Sequence, residues 1–143
     1  MSSFEWDDCF RLGLPEVDRQ HQRWFELTNT FLDLVNSGVA DQAAVQVAMQ
    51  QAFAHARRHF RAEEALMRRI GFPKREYEWH AMTHNAFLER FNALAKRCRQ
   101  GKTTVVAELA AFMSGWLTKH ILEVDIKYIG FYMIKMSYGP GGK

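Results

Sequence analysis

Cysteine is scarce in this chain: only Cys9 and Cys98 occur, far apart and in no CxxC pattern. That excludes a disulfide framework and a thiolate zinc site, and it suits free thiols in a reducing compartment. Proline and glycine are also few, three and nine in 143 residues, and three of the glycines fall in the last five positions. A chain so rarely interrupted is neither disordered nor turn-rich all-β. No stretch alternates apolar and polar residues long enough for a strand. The longest nearly apolar run, Val105 to Leu117, contains Glu108 and is too short to span a bilayer. Met1 to Asp8 is polar and acidic, unlike a basic-then-apolar signal peptide, so a cytoplasmic protein is expected.

Nor is there a strong charge of one sign. Net charge is +3, and the basic cluster Arg57, Arg58, Arg61, Arg68 and Arg69 is interleaved with Glu63 and Glu64. This reads as the solvated face of a helix, not as a nucleic-acid surface. No HExxH is present, which argues against a zinc protease, and no glutamate is followed three residues later by histidine.

What is present is apolar periodicity at three- and four-residue spacing. Hydrophobic residues make up 48% of the chain, enough for one well-packed core. A first helix is predicted from about Asp18, with Trp24, Phe25, Thr28, Phe31 and Leu32 on one face, ending at Asn36-Ser37-Gly38. Asp41 caps a second, with Val45, Met49, Ala52, Ala56, Leu66 and Ile70 facing inward, broken by Gly71-Phe72-Pro73. A third carries Phe87, Leu88, Phe91 and Leu94 and stops near Gln100-Gly101. A fourth runs from Val105 through Leu109, Met113, Trp116 and Leu117 to Val124. Short connections make consecutive helices antiparallel, so the expected fold is an all-α, up-down-up-down four-helix bundle forming one domain over 1–143. Residues 1–17 form an irregular arm with Trp6 and Phe10 against the bundle. From about 129 to 143 lies a C-terminal extension, in which Ile129, Phe131, Tyr132 and Met133 are expected to prolong the last helix and Gly139-Pro140-Gly141-Gly142 to form a frayed end.

The apolar faces carry seven residues that a core normally rejects: His21, His59, Glu63, His80, His84, His120 and Asp125. His21 and the His80–His84 pair come early in their helices; His59, Glu63, His120 and Asp125 come late. In an antiparallel bundle all seven therefore meet at one end. His59 with Glu63, and His80 with His84, are four apart and project from one face. His120 and Asp125 are five apart, roughly 140° around an α-helix, and are expected to straddle the inward direction.

Any one of these has a bland explanation, since a lone inward histidine is usually a hydrogen-bonded core residue. Seven at one end do not. Burying five imidazoles and two carboxylates unpaired is costly, and a bound cation removes the cost. Imidazole with carboxylate suits iron, zinc, copper or manganese. Five nitrogens, two bridging carboxylates and one bridging oxo or hydroxo group leave one position open on a pair of octahedral ions.

The set Asp18-Arg-Gln-His21, His59-Phe-Arg-Ala-Glu63-Glu64, His80-Ala-Met-Thr-His84, Trp116-Leu117-Thr-Lys-His120-Ile121 and Asp125 resembles the hemerythrins, in particular their single-domain bacterial members. The resemblance spans about residues 6 to 130. It implies two non-haem irons cycling between Fe2+ and Fe3+ with an oxo or hydroxo bridge. His80, His84 and His120 would hold one, His21 and His59 the other, and Glu63 and Asp125 would bridge them. It implies reversible oxygen binding end-on at the iron with the open position, for carriage, storage or delivery to an oxygen-consuming enzyme. On this reading Trp116, Leu117, Ile121, Phe60 and Trp24 wall the oxygen pocket, and Tyr128 hydrogen-bonds a bridging carboxylate. The chain is expected to be a binding protein and not an enzyme, without a membrane span, and a monomer or weak oligomer. Its alternatives are an oxygen, redox or iron sensor and a di-iron oxidase or peroxidase. His55 departs from the family pattern, which has an aromatic residue there, and is read as a non-ligand that either supports a ligand or faces solvent. The extension after Gly130 is read as a partner contact or a pocket lid.

Overall fold

A computed structural model describes residues 6–37, 42–100 and 104–138. The chain forms an all-α four-helix bundle: α1 Pro15–Ser37, α2 Gln42–Arg69, α3 Lys74–Arg99 and α4 Val105–Lys119. The last of these passes without a break through a π-helical segment, His120–Asp125, into α5, Ile126–Tyr138. No strand occurs among the described residues. Each of α1 and α3 packs against both α2 and α4, so the four lie in a square with up-down-up-down connections. Gly38, Asp41 and Gly101, expected to end or cap helices, lie outside the described residues, as does Gly139-Pro140-Gly141-Gly142.

One helix boundary differs from the sequence reading. α1 starts at Pro15, three residues before Asp18. Proline suits the first turn, where its missing N–H is not needed. Asp18 instead accepts hydrogen bonds from the backbone N–H groups of Leu12 at 2.9 Å and Gly13 at 3.2 Å, which clamps the arm onto α1. Upstream, Trp6 and Phe10 pack edge-on against Phe25, with centroids 5.2 and 5.0 Å away. At the other end, the fourth helical rod runs on past Val124 to Tyr138, so the C-terminal extension prolongs the last helix. Beyond Val124 a single glycine, Gly130, precedes Tyr138, and a single glycine does not end a helix.

The break after α2 is as the sequence predicts. Gly71 adopts φ +75°, the left-handed conformation that glycine accepts without cost. The Gly71 N–H donates to Arg68 C=O, and Phe72 N–H to Met67 C=O, which ties off the open carbonyls. Lys135 from α5 reaches across and donates to the Ile70 carbonyl at 2.6 Å. The C-terminal helix is thereby fastened over the end of the bundle where the polar residues converge. Cys9 is exposed and Cys98 buried, both as free thiols. No helix among the described residues is long and apolar enough to cross a membrane.

Candidate metal centre

All seven polar residues meet at one end of the core, and none is more than 4% exposed. α1 supplies His21, α2 His59 and Glu63, α3 His80 and His84, and the π segment His120 and Asp125. Their ligand atoms form two overlapping groups. One contains Glu63, His80, His84, His120 and Asp125; the other contains His21, His59, Glu63 and Asp125. The two carboxylates belong to both.

The distances fit those between neighbouring ligands of a metal ion. His80 Nε2, His120 Nε2 and Asp125 Oδ1 form a triangle with edges of 3.0, 3.1 and 3.0 Å. For metal–ligand bonds of about 2.1 Å, neighbouring ligand atoms at right angles are about 3 Å apart. His84 Nε2 and His59 Nε2 approach Glu63 Oε1 to 3.2 and 3.4 Å, and His21 Nε2 approaches Asp125 Oδ2 to 3.2 Å. Yet His21 Nε2, His84 Nε2, Glu63 Oε1 and both Asp125 oxygens are buried without a hydrogen-bond partner. Atoms that close without hydrogen-bonding point at a shared position. Orphaned buried polar atoms of this kind are costly, and a cation set satisfies all of them together.

His120 and Asp125 do not straddle the inward direction as expected of an α-helix. They bracket the π segment, whose wider i→i+5 winding brings residues five apart onto one side. Asp125 Oδ1 then sits 3.0 Å from His120 Nε2. The spacing of five that looked awkward is the spacing that this winding requires.

Residues 12–132 match the sequence family described as the hemerythrin HHE cation binding domain. The chain belongs to the hemerythrin family. It is 27% identical to a bacteriohemerythrin of Clostridium acetobutylicum over 129 residues, covering 88% of this chain and 98% of that one. A bacteriohemerythrin of Pseudomonas aeruginosa is 28% identical over 137 residues, 96% and 86% of the two chains. A hemerythrin-like protein of Naegleria fowleri is 32% identical over 129 residues, 90% and 93% of the two.

Electrostatics in this hemerythrin site follow from crowding. Burial pushes Glu63 and Asp125 toward protonation, and each repels the other. The imidazoles outweigh both effects. His59 and His84 hold Glu63 below the usual carboxylate range, and His120, His21 and His80 hold Asp125 well below it. Burial lowers His84, but Glu63 and Glu64 raise it further, to about 9. Tyr128 is pushed well up by burial and by the two carboxylates, so it remains a donor. Its hydroxyl donates to Glu63 Oε2 at 2.7 Å and leaves Oε1 facing the histidines.

Two supporting residues stood in the quoted motifs without a role assigned to them. His84 Nδ1–H donates to Glu64 at 2.8 Å, and His59 Nδ1–H donates to the side-chain oxygen of Gln20. Each bond fixes the tautomer that leaves Nε2 free for a metal. Glu64 is partly exposed and Gln20 adjoins His21, so both resemble ordinary surface positions.

Aromatic rings cover the core side of the hemerythrin site. Phe60 stacks on His84 with centroids 3.9 Å apart, and Trp116 stacks on His120 at 4.2 Å. Trp24 meets His59 edge-on at 5.8 Å. Phe87, read beforehand only as a core residue, touches Trp24, Phe60 and Trp116 and completes the wall. Leu117 and Ile121 are fully buried in the same cluster, whereas Trp116 is half-buried at its edge. On the opposite side a cavity of about 400 Å³ lies between α1, α2 and α5, lined by Leu14, Val17, Leu66 and Tyr132, with Gln20 and Glu63 also along it.

Proposed function

We propose that this chain binds molecular oxygen reversibly at a non-haem di-iron centre, as a carrier or store and not as a catalyst. The observation that carries the reading is the unequal sharing of ligands. Glu63 and Asp125 belong to both groups, but one group has three histidines and the other two. A pair of six-coordinate ions sharing those carboxylates and one oxo or hydroxo group would be saturated on the His80–His84–His120 side and one ligand short on the His21–His59 side. When bound, the two irons supply the two electrons that oxygen takes up and returns.

The chain's own residues do the rest. Glu63 and Asp125, both held ionised, offset the positive charge in a buried place. Tyr128, Glu64 and Gln20 hold ligands in orientation by the bonds described above. Trp24, Phe60, Trp116 and Phe87 keep water from the core side, which is what reversibility requires. The imidazole-rich shell supports carriage over oxidase chemistry, whose bundles use more carboxylate. Oxygen-dependent redox sensing is the second reading, favoured by the cavity that has Glu63 among its lining residues.

The test is a visible spectrum of protein reduced without air, then aerated, then evacuated, with iron counted in parallel. Two irons per chain and a colour that comes with air and goes under vacuum are expected. Colour that persists under vacuum replaces carriage with the sensing or enzymatic reading, and a chain that takes up no iron overturns both.

A further inference from the structure

His55 lies one turn before His59 on α2 and is buried, although it belongs to neither ligand group. Its Nε2–H donates to the backbone carbonyl of Gln20, 2.8 Å away on α1. The side chain of the same Gln20 accepts the Nδ1–H of His59. The two imidazoles are parallel within 4°, with centroids 6.3 Å apart. One residue of α1 is thus gripped at its backbone by His55 and at its side chain by His59, and that residue directly precedes His21.

The His55 bond is not needed to satisfy Gln20. A carbonyl inside α1 already accepts from the helical ladder, so the imidazole adds a second bond to it. Nor does packing alone call for an imidazole, because a purely apolar ring would fill the place against Trp24. Burial holds His55 down to about 4, so it is neutral with a single N–H, and that N–H goes to Gln20.

We propose that His55 is a positioning residue: by pinning Gln20 to α2 it sets the ring orientation of His59, and with it the metal position held by His21 and His59. The inference rests on the two-metal reading above. It also creates an asymmetry between the two positions. On the three-histidine side His84 is oriented directly by the Glu64 carboxylate. The two-histidine side relies on the neutral side-chain amide of Gln20, whose backbone carbonyl is held by His55. With fewer ligands, that side loses more when one imidazole turns.

The experiment follows ferrous iron leaving the loaded protein to a chelator, without air, in two phases. Partners that orient a ligating histidine change metal affinity by about 10- to 100-fold, so His55→Phe is expected to speed one phase about tenfold and the other less than about twofold. His55→Gln, whose amide nitrogen takes the place of Nε2, restores the slow phase. In a Gln20→Ala background His55→Phe adds nothing. Equal acceleration of both phases, no rescue by glutamine, or an undiminished effect without the Gln20 side chain assigns His55 to packing and overturns the proposal. Metal-free protein gives a readout independent of iron. In nitrogen-15 spectra the His59 ring is expected as the Nδ1–H tautomer with a slowly exchanging proton, which exchanges faster in His55→Phe at unchanged melting temperature. If His55→Phe does not fold, His55→Asn, whose donor is too short to reach Gln20, takes its place. A chain that binds no iron refutes the two-metal reading, while the ring proton still decides the role of His55.

Discussion

The two ends of this bundle are built on opposite terms. At one end Phe31, Phe91, Leu94 and Leu109 are fully buried among apolar neighbours, and the interior is complete as it stands. At the other end the same four helical rods bury five histidines and two carboxylates, with five ligand atoms left without hydrogen bonds. The apolar end contributes stability to the polypeptide alone. The polar end carries a desolvation cost that a bound cation would offset, so binding and folding are expected to be linked there. The bundle's apolar half carries the strain of its functional half.

Paired substitutions probe that contrast most strongly. Phe91→Ala should cost about 3–5 kcal/mol, equally with and without metal. Asp125→Ala removes a residue common to both ligand groups, so metal content should fall from two ions per chain to fewer than one. Its cost to the metal-free fold should be smaller than that of Phe91→Ala. Denaturant unfolding with and without chelator, alongside metal analysis, measures all of these. A metal-free fold that tolerates Phe91→Ala but collapses with Asp125→Ala would invert the comparison. Removing metal from the unaltered chain is the next largest effect. A ligand at a thousand times its dissociation constant contributes about 4 kcal/mol to the folded state, and chelation should lower the melting temperature accordingly. No shift on chelation would mean that the polar end is self-sufficient.

Most of the apolar end was readable in the sequence, because packing imposes the three- and four-residue spacing that α-helices show. The seven polar residues were readable for the same reason, as violations of that spacing placed at matching ends. The π winding between His120 and Asp125 was not read, since shifting backbone hydrogen bonds from four to five residues leaves no compositional trace. The spacing of five was its only mark. Gln20 and Glu64 stayed hidden because they orient ligands from partly exposed positions, where a single sequence offers no contrast with ordinary surface residues. The length of α5 was blurred by Ile134 and Met136, apolar residues that face outward and break the periodicity.

A smaller effect sharpens the comparison within the polar end. Tyr128 joins Glu63, whose carboxylate is common to both ligand groups, to the end cluster of Met67, Ile70 and Ile129. Tyr128→Phe keeps the ring and removes a hydrogen bond to a charged group, with an expected loss of about 1.5–3 kcal/mol. If that bond serves the site, the loss appears in metal release as well as in unfolding. A loss confined to unfolding would make Tyr128 part of the packing and not of the centre.

The smallest effect separates the two kinds of buried histidine by pH, in metal-free protein. His84 is raised to about 9 by Glu63 and Glu64 acting against burial. Unfolded histidine titrates near 6.5, so the contribution of His84 is fully present below about 6.5 and is lost as pH rises through about 9. His55 is lowered to about 4 by burial, with Arg58 and Arg23 adding to the effect. Its sign is opposite. Below about 6.5 the unfolded chain gains a proton there that the folded chain refuses, so stability falls as pH drops from 6.5 toward 4. His55→Gln should therefore flatten the acid limb of the stability curve and leave the alkaline limb unchanged. An acid limb identical in His55→Gln would show that His55 is protonated in the folded chain. A protonated ring still donates to Gln20, but it would carry a charge beside His59, against the cation that the polar end is built to receive.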